Sequence, residues 1–127
     1  MQRVLVVDDD AAIRECIAEL LSTEGFDVRE ARDGREGLRA LDAAQPGVVV
    51  LDLMMPVMSG WEFLEAKKQR RPAVANIPVI VVTASDRPGV ETERVLRKPF
   101  DLEALLAAVE ELTGRAPPPP PGGAAAA

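Results

Sequence analysis

Three short apolar runs constrain this chain most. RVLVV (3–7), GVVVLDL (47–53) and IPVIVVT (77–83) each suit one buried strand and are too short for an ordinary helix. Amphipathic stretches lie between them. Ile13, Ile17, Leu20 and Leu21 fall at helical spacing, behind Asp10 as N-cap and ahead of Gly25. FDVREA (26–31) alternates as a strand with one less buried face, the pattern of an edge position. Residues 35–44 put Leu38 and Leu41 on one helical face and stop before Gln45-Pro46-Gly47. A helix is expected near 60–71, with Ser59 as N-cap and Phe63 and Leu64 facing inward. A short strand follows around 94–96. Asp101 then caps a last helix whose stripe is Leu102, Leu105, Leu106, Val109 and Leu112. Strands of nearly continuous apolar character, alternating with helices, predict a parallel sheet covered on both faces, a (βα)5 arrangement.

The polar residues sit where the apolar runs end. The first strand runs into Asp8, Asp9 and Asp10, and the third into Asp52. The fourth delivers Thr83, and the fifth Lys98 followed by Pro99. Adjacent carboxylates repel, the more so when desolvated. A solvated turn with Asp10 as a cap would relieve the triplet; so would a cation. In an open α/β sheet the ligand site lies outside the carboxyl ends of the strands. If the first and third strands are neighbours, three carboxylates meet one hydroxyl and one ammonium there. Oxygen-only ligands match Mg²⁺, which accepts one or two carboxylates plus substrate oxygens. Asp52 would then be a candidate nucleophile for a phosphoryl group, with Thr83 and Lys98 holding its other oxygens.

Composition narrows the alternatives. The chain has no His, which removes Ser-His-Asp and Cys-His catalysis, His-ligated zinc and phosphohistidine on this chain. A net charge of −6 offers no basic footprint for nucleic acid. No apolar run suggests a membrane span or signal peptide, and the lone Cys16 can form no internal disulfide, so a cytoplasmic setting is expected. Cys16 itself is expected to pack in the core. The Met residues at 54, 55 and 58 are expected to pack in a loop, and Trp61 at the start of a helix. Lysine is scarce, 3 against 12 Arg, so a compact ammonium at 98 hints at a site with little room.

The blocks VVDDD, VVVLDLMMPVMSG, VIVVTAS and RKPF, in that order, resemble the receiver domain of two-component response regulators over residues 2 to about 113. The resemblance implies a doubly wound sheet in the order 2-1-3-4-5. It implies that Asp9 binds Mg²⁺ directly and Asp8 mostly through water, that the backbone carbonyl of Met54 completes the metal shell, and that Asp52 is both a metal ligand and the phosphoacceptor. Thr83 matches the switch hydroxyl and Lys98 the family's lysine, and the Lys98–Pro99 bond is expected to be cis. The implied donor is a sensor histidine kinase or a phosphotransfer protein, and the implied output is a changed contact with a downstream protein or a homodimer. The receiver is expected to span residues 1–114. The remaining RAPPPPPGGAAAA (115–127) reads as a disordered tail or the start of a linker, less readily as a ligand for a proline-binding partner.

Two departures from the family's pattern concern the output side. Only 14 residues separate Thr83 from Lys98, about two helical turns fewer than usual, and Pro88 and Gly89 break that stretch. A short or missing fourth helix is therefore expected between the fourth and fifth strands. Val95 stands where the family places the aromatic that reports phosphorylation, and Val cannot swing as that ring does. The leading reading is a phosphoacceptor signalling domain with a non-standard output face. A phosphate-independent interaction or dimerisation module is the alternative. An enzyme turning over an external phosphoester is disfavoured, because Met54 stands where a second acid would be needed.

Overall fold

Side-chain parity along the strands splits the core into two layers. The computed structural model describes residues 2–84, 89–90 and 92–114. Strands β1 (Arg3–Val7), β2 (Asp27–Ala31), β3 (Val48–Asp52), β4 (Val79–Thr83) and β5 (Arg94–Arg97) form one sheet. Its order is β2-β1-β3-β4-β5, and every pairing is parallel. Odd-numbered residues of the central strands, among them Leu5, Val7, Val49, Leu51 and Val81, face one layer. Helices α2 (Gly34–Ala44) and α3 (Gly60–Lys68) and the one-turn α4 (Pro72–Ala75) cover it, through Leu38, Leu41, Phe63 and Val74. Even-numbered Val4, Val6, Val48, Val50 and Val82 face the other, under α1 (Ala11–Thr23) and α5 (Leu102–Leu112). The period-two alternation thus appears as two apolar faces, each buried by helices.

Local chemistry sets the element ends. Asp10 accepts the N–H groups of Ala12 and Ile13 and starts α1; Gly25 (φ 93°) follows its end. Asp33 caps α2 through Glu36, and Ser59 and Glu62 form a reciprocal capping box on α3. β2 is an edge strand, as its pattern predicts. The helix expected over 60–71 ends at Lys68. Pro72 disfavours helical backbone at Arg71, which is extended (ψ 155°), and a separate turn begins at Pro72. Lys67, buried, ties the two pieces together by donating to the Ala75 carbonyl at 2.7 Å. Burial lowers the pKa of its ammonium, and the Glu93 carboxylate opposes that shift.

Between β4 and β5 none of the described residues is helical; residues 85–88 and 91, where most of a fourth helix would fall, lie outside the described set. The tail expected over 115–127 lies outside it as well. Among the described residues no helix is long and apolar enough to cross a membrane.

Candidate functional site

The carboxyl ends of β1, β3, β4 and the residue after β5 converge at one edge of the sheet. Asp8 follows β1 and is buried (2% exposed), Asp52 ends β3 and is buried (5%), and Asp9 is exposed. One carboxylate oxygen from each of the three lies within 4.8 Å of the others. Two oxygens bound on opposite sides of one Mg²⁺ at about 2.1 Å lie about 4.2 Å apart. The cluster therefore fits a single hard cation after a small adjustment, or with one carboxylate acting through water.

Lys98 closes the cluster from the far side. Its Nζ is 3.4 Å from Asp8 Oδ2 and 3.6 Å from Asp52 Oδ2. Its backbone N–H donates to the Thr83 carbonyl at 2.8 Å, which continues the β4–β5 pairing one residue past the strand. The Lys98–Pro99 bond is cis. Thr83 is fully buried, one residue beyond the Val82 that pairs with Asp52. Burial pushes the Asp52 carboxyl up to about 6 from its ordinary 3.8, and the Asp8 carboxylate pushes the same way. The Lys98 ammonium and the Met54 N–H, donated to Asp52 Oδ1 at 3.2 Å, pull it down; Asp9 adds a smaller upward push. Met54 turns its side chain to solvent (59% exposed), so its backbone is what faces Asp52.

Tight backbone approach holds the Asp52 end in place. A Cβ on Gly60 would stand 2.5 Å from the Asp52 carbonyl oxygen, so only glycine lets α3 begin there. Val57, between Asp52 and that helix, has φ 69°, and the Met58 N–H donates to the Pro56 carbonyl at 2.7 Å across it. This is a γ-turn centred on a β-branched residue, a strained conformation next to the site. Nothing in the residue type announces it.

Cys16 corrects an expectation: it is exposed, not packed in the core. It lies about 120° round α1 from the buried Ile17 and Leu21, taking about 100° per residue, so the helix turns it away from the sheet. Beside it an apolar groove of about 610 Å³ runs to Lys98 and Pro99, lined also by Ile13, Phe100 and Leu102. Trp61, also expected to pack, is 39% exposed, as is Val95 on the edge strand β5.

Comparison with known proteins matches this arrangement of strand ends. The family model described as "Response regulator receiver domain" matches residues 4–110. This chain belongs to the response regulator receiver family. Its relatives include the response regulator MprA of Mycolicibacterium vanbaalenii, 42% identical across 89% of this chain, and MprA of Mycobacterium ulcerans, 41% identical over the same share. The receiver chain spans about half the length of these curated relatives, 51% and 50%. Among solved structures, chemotaxis protein CheY4 of Vibrio cholerae superposes with a TM-score of 0.80 at 33% identity, covering 88% of this chain and 98% of that one. A Francisella response regulator receiver domain gives 0.81 at 30% identity, covering 90% and 98%. Response regulator TrrA of Thermotoga maritima, solved in complex with Mg²⁺-BeF, gives 0.78 at 29% identity, covering 88% and 99%. The strand order 2-1-3-4-5 is thus that of receiver domains, which act as phosphoacceptor signalling domains and take phosphoryl groups from histidine kinases.

Proposed function

We propose that Asp52 is the phosphoacceptor and that Asp8, Asp9, Asp52 and the Met54 carbonyl hold one Mg²⁺ beside it. The cluster of three carboxylates within 4.8 Å, faced by a single ammonium, carries this reading. A bound Mg²⁺ would supply charge neutralisation between the carboxylates and the incoming phosphoryl oxygens. The chain's own residues do the rest. One Asp52 Oδ forms the new O–P bond as the donor's P–N bond breaks, and the donor imidazole keeps the electron pair and takes up a proton. Lys98, already between Asp8 and Asp52, shifts to a phosphoryl oxygen as Asp52 loses its negative oxygen to the new bond. The Thr83 hydroxyl, at the end of β4, takes another.

The groove from Lys98 along Ile13, Cys16 and Phe100 suits the phosphohistidine-bearing partner, a histidine kinase or phosphotransfer protein, because it is apolar and ends at Lys98, whose ammonium is 3.6 Å from the Asp52 carboxylate. On the output side, the exposed Val95 and the short β4–β5 connection favour a contact that changes without an aromatic switch. The test is labelling by acetyl phosphate, read as intact mass. A phosphate adduct that requires both Mg²⁺ and Asp52, absent in Asp52→Asn, supports the reading. A folded protein that gains no adduct with Mg²⁺ present turns it toward a phosphate-independent interaction module.

A further inference from the structure

A guanidinium outside the carboxylate cluster holds the turn that carries two of its members. Arg14, closing the first turn of α1, donates through Nη1 to the Asp8 carbonyl at 2.8 Å and through Nε to Glu30 Oε1 at 3.2 Å. Only 16% of its side chain is exposed. Glu30 precedes Ala31 on β2, and the Ala31 carbonyl accepts the Asp8 N–H at 3.0 Å. The Asp10 N–H donates to Asp8 Oδ1 at 2.9 Å. Asp8 is therefore fixed at its amide, its carbonyl and one carboxylate oxygen, and its other oxygen faces Lys98.

The carbonyl bond matters because it fixes the plane of the Asp8–Asp9 peptide. Asp9 is exposed, so its own packing does little to aim its carboxylate; the backbone entering it does. We infer that Arg14, braced by Glu30, is a positioning residue for the cation site, orienting Asp9 through the Asp8–Asp9 peptide. The inference rests on the Mg²⁺ reading given above. Groups that orient metal ligands from outside typically change affinity by about 10- to 100-fold when removed.

The sign of the effect separates orientation from charge. A cation near a cation site opposes binding, so a purely electrostatic Arg14 predicts tighter Mg²⁺ binding when it is neutralised and no change when Lys replaces it. A positioning Arg14 predicts the reverse, since Lys keeps the charge but cannot make both bonds in the guanidinium's fixed fork.

Titration calorimetry with Mg²⁺ alone, on the full chain and on Arg14→Lys, Arg14→Met, Glu30→Gln and Glu30→Ala, reads this directly. Thermal melts in EDTA check that each variant is folded. Both Arg14 variants are expected to bind Mg²⁺ about tenfold more weakly, and Glu30→Gln less so, because its amide oxygen still accepts from Nε. Arg14→Lys binding within twofold of wild type, or Arg14→Met binding more tightly, overturns the inference while leaving the metal site standing. A folded wild-type chain that binds no Mg²⁺ overturns both. Glu30→Ala, which removes the acceptor and leaves Arg14 unbraced, keeps the inference open to failure should either Arg14 variant not fold: binding equal to wild type would then sink it.

Discussion

Lys98 Nζ reaches across the end of β4 to within 3.6 Å of Asp52 Oδ2, linking residues that two strand pairings separate. The same ammonium is 3.4 Å from Asp8, so one positive charge holds together two buried carboxylates. Replacing Lys98 with Met leaves them facing each other without it. Without Mg²⁺, Lys98→Met is expected to lower unfolding free energy by roughly 1–3 kcal/mol, less than for a fully buried pair because Lys98 keeps some solvent contact. Added Mg²⁺ should recover most of that loss, since a divalent ion meets the same repulsion. Urea melts with EDTA and with Mg²⁺ check both. Acetyl phosphate labelling should remain at least tenfold slower even with Mg²⁺, because the phosphoryl oxygens lose their ammonium.

The raised Asp52 pKa makes a pH prediction with a definite sign. The folded state binds its proton more tightly than the unfolded chain does, about 6 against 3.8. In EDTA the protein is therefore most favoured, as far as Asp52 is concerned, below about pH 4, and loses stability as pH rises to about 6. At about 1.4 kcal/mol per pKa unit the loss approaches 3 kcal/mol. Asp52→Asn removes that component, so in EDTA at pH 7.5 it should melt above wild type. The two should converge near pH 4. Mg²⁺ should raise the wild-type melting temperature more at pH 7.5 than at pH 5, and a wild-type curve parallel to that of Asp52→Asn between pH 4 and 6.5 would refute the assignment.

Val57→Gly is expected to stabilise the chain. A β-branched residue at φ 69° is strained by about 1–2 kcal/mol, and Val57 is 70% exposed, so little packing is lost on truncation. Glycine gives back part of the gain as backbone entropy. The net is about +1 kcal/mol, read as a higher urea midpoint with an unchanged slope. Val57→Ala, which keeps the Cβ and hence most of the strain, should gain much less.

The contrast between Asp52 and Val57 shows which parts of the site could be read from sequence. Asp52 was legible because a continuous apolar strand ended in a charge, and three further strand ends supplied matching chemistry. That pattern needs only residue type and period. The Asp33 cap was also within reach, since Asp33 and Glu36 carry capping-box spacing. The strand order was not legible from period or composition; it came from resemblance. Val57, Cys16 and Arg14 were missed because each depends on where the backbone goes. A positive φ leaves no mark on a Val, and the end of α3 at Lys68 turned on one proline four residues further on. Cys16 sits at the flank of an apolar stripe, where a small rotation decides between core and solvent.

That flank provides a last prediction, because Cys16 is the chain's only thiol and lines the groove that ends at Lys98. Alkylation with N-ethylmaleimide adds a bulky group to the groove without touching Asp52. A small donor such as acetyl phosphate reaches the carboxylate without covering the groove, so its labelling rate should stay within about twofold. A phosphohistidine protein that lays an apolar surface along Ile13 and Phe100 would be held off, and transfer from it should fall by tenfold or more. Cys16→Ser, treated identically, controls for reagent effects and should transfer as well after treatment as before. If alkylated wild type accepts phosphate from its protein donor at an unchanged rate, the donor docks elsewhere on the α1 side or against α3. If both donors fail together, the adduct has distorted the first turns of α1 and with them the Asp8–Asp10 turn, which the Arg14 bond to Asp8 would transmit.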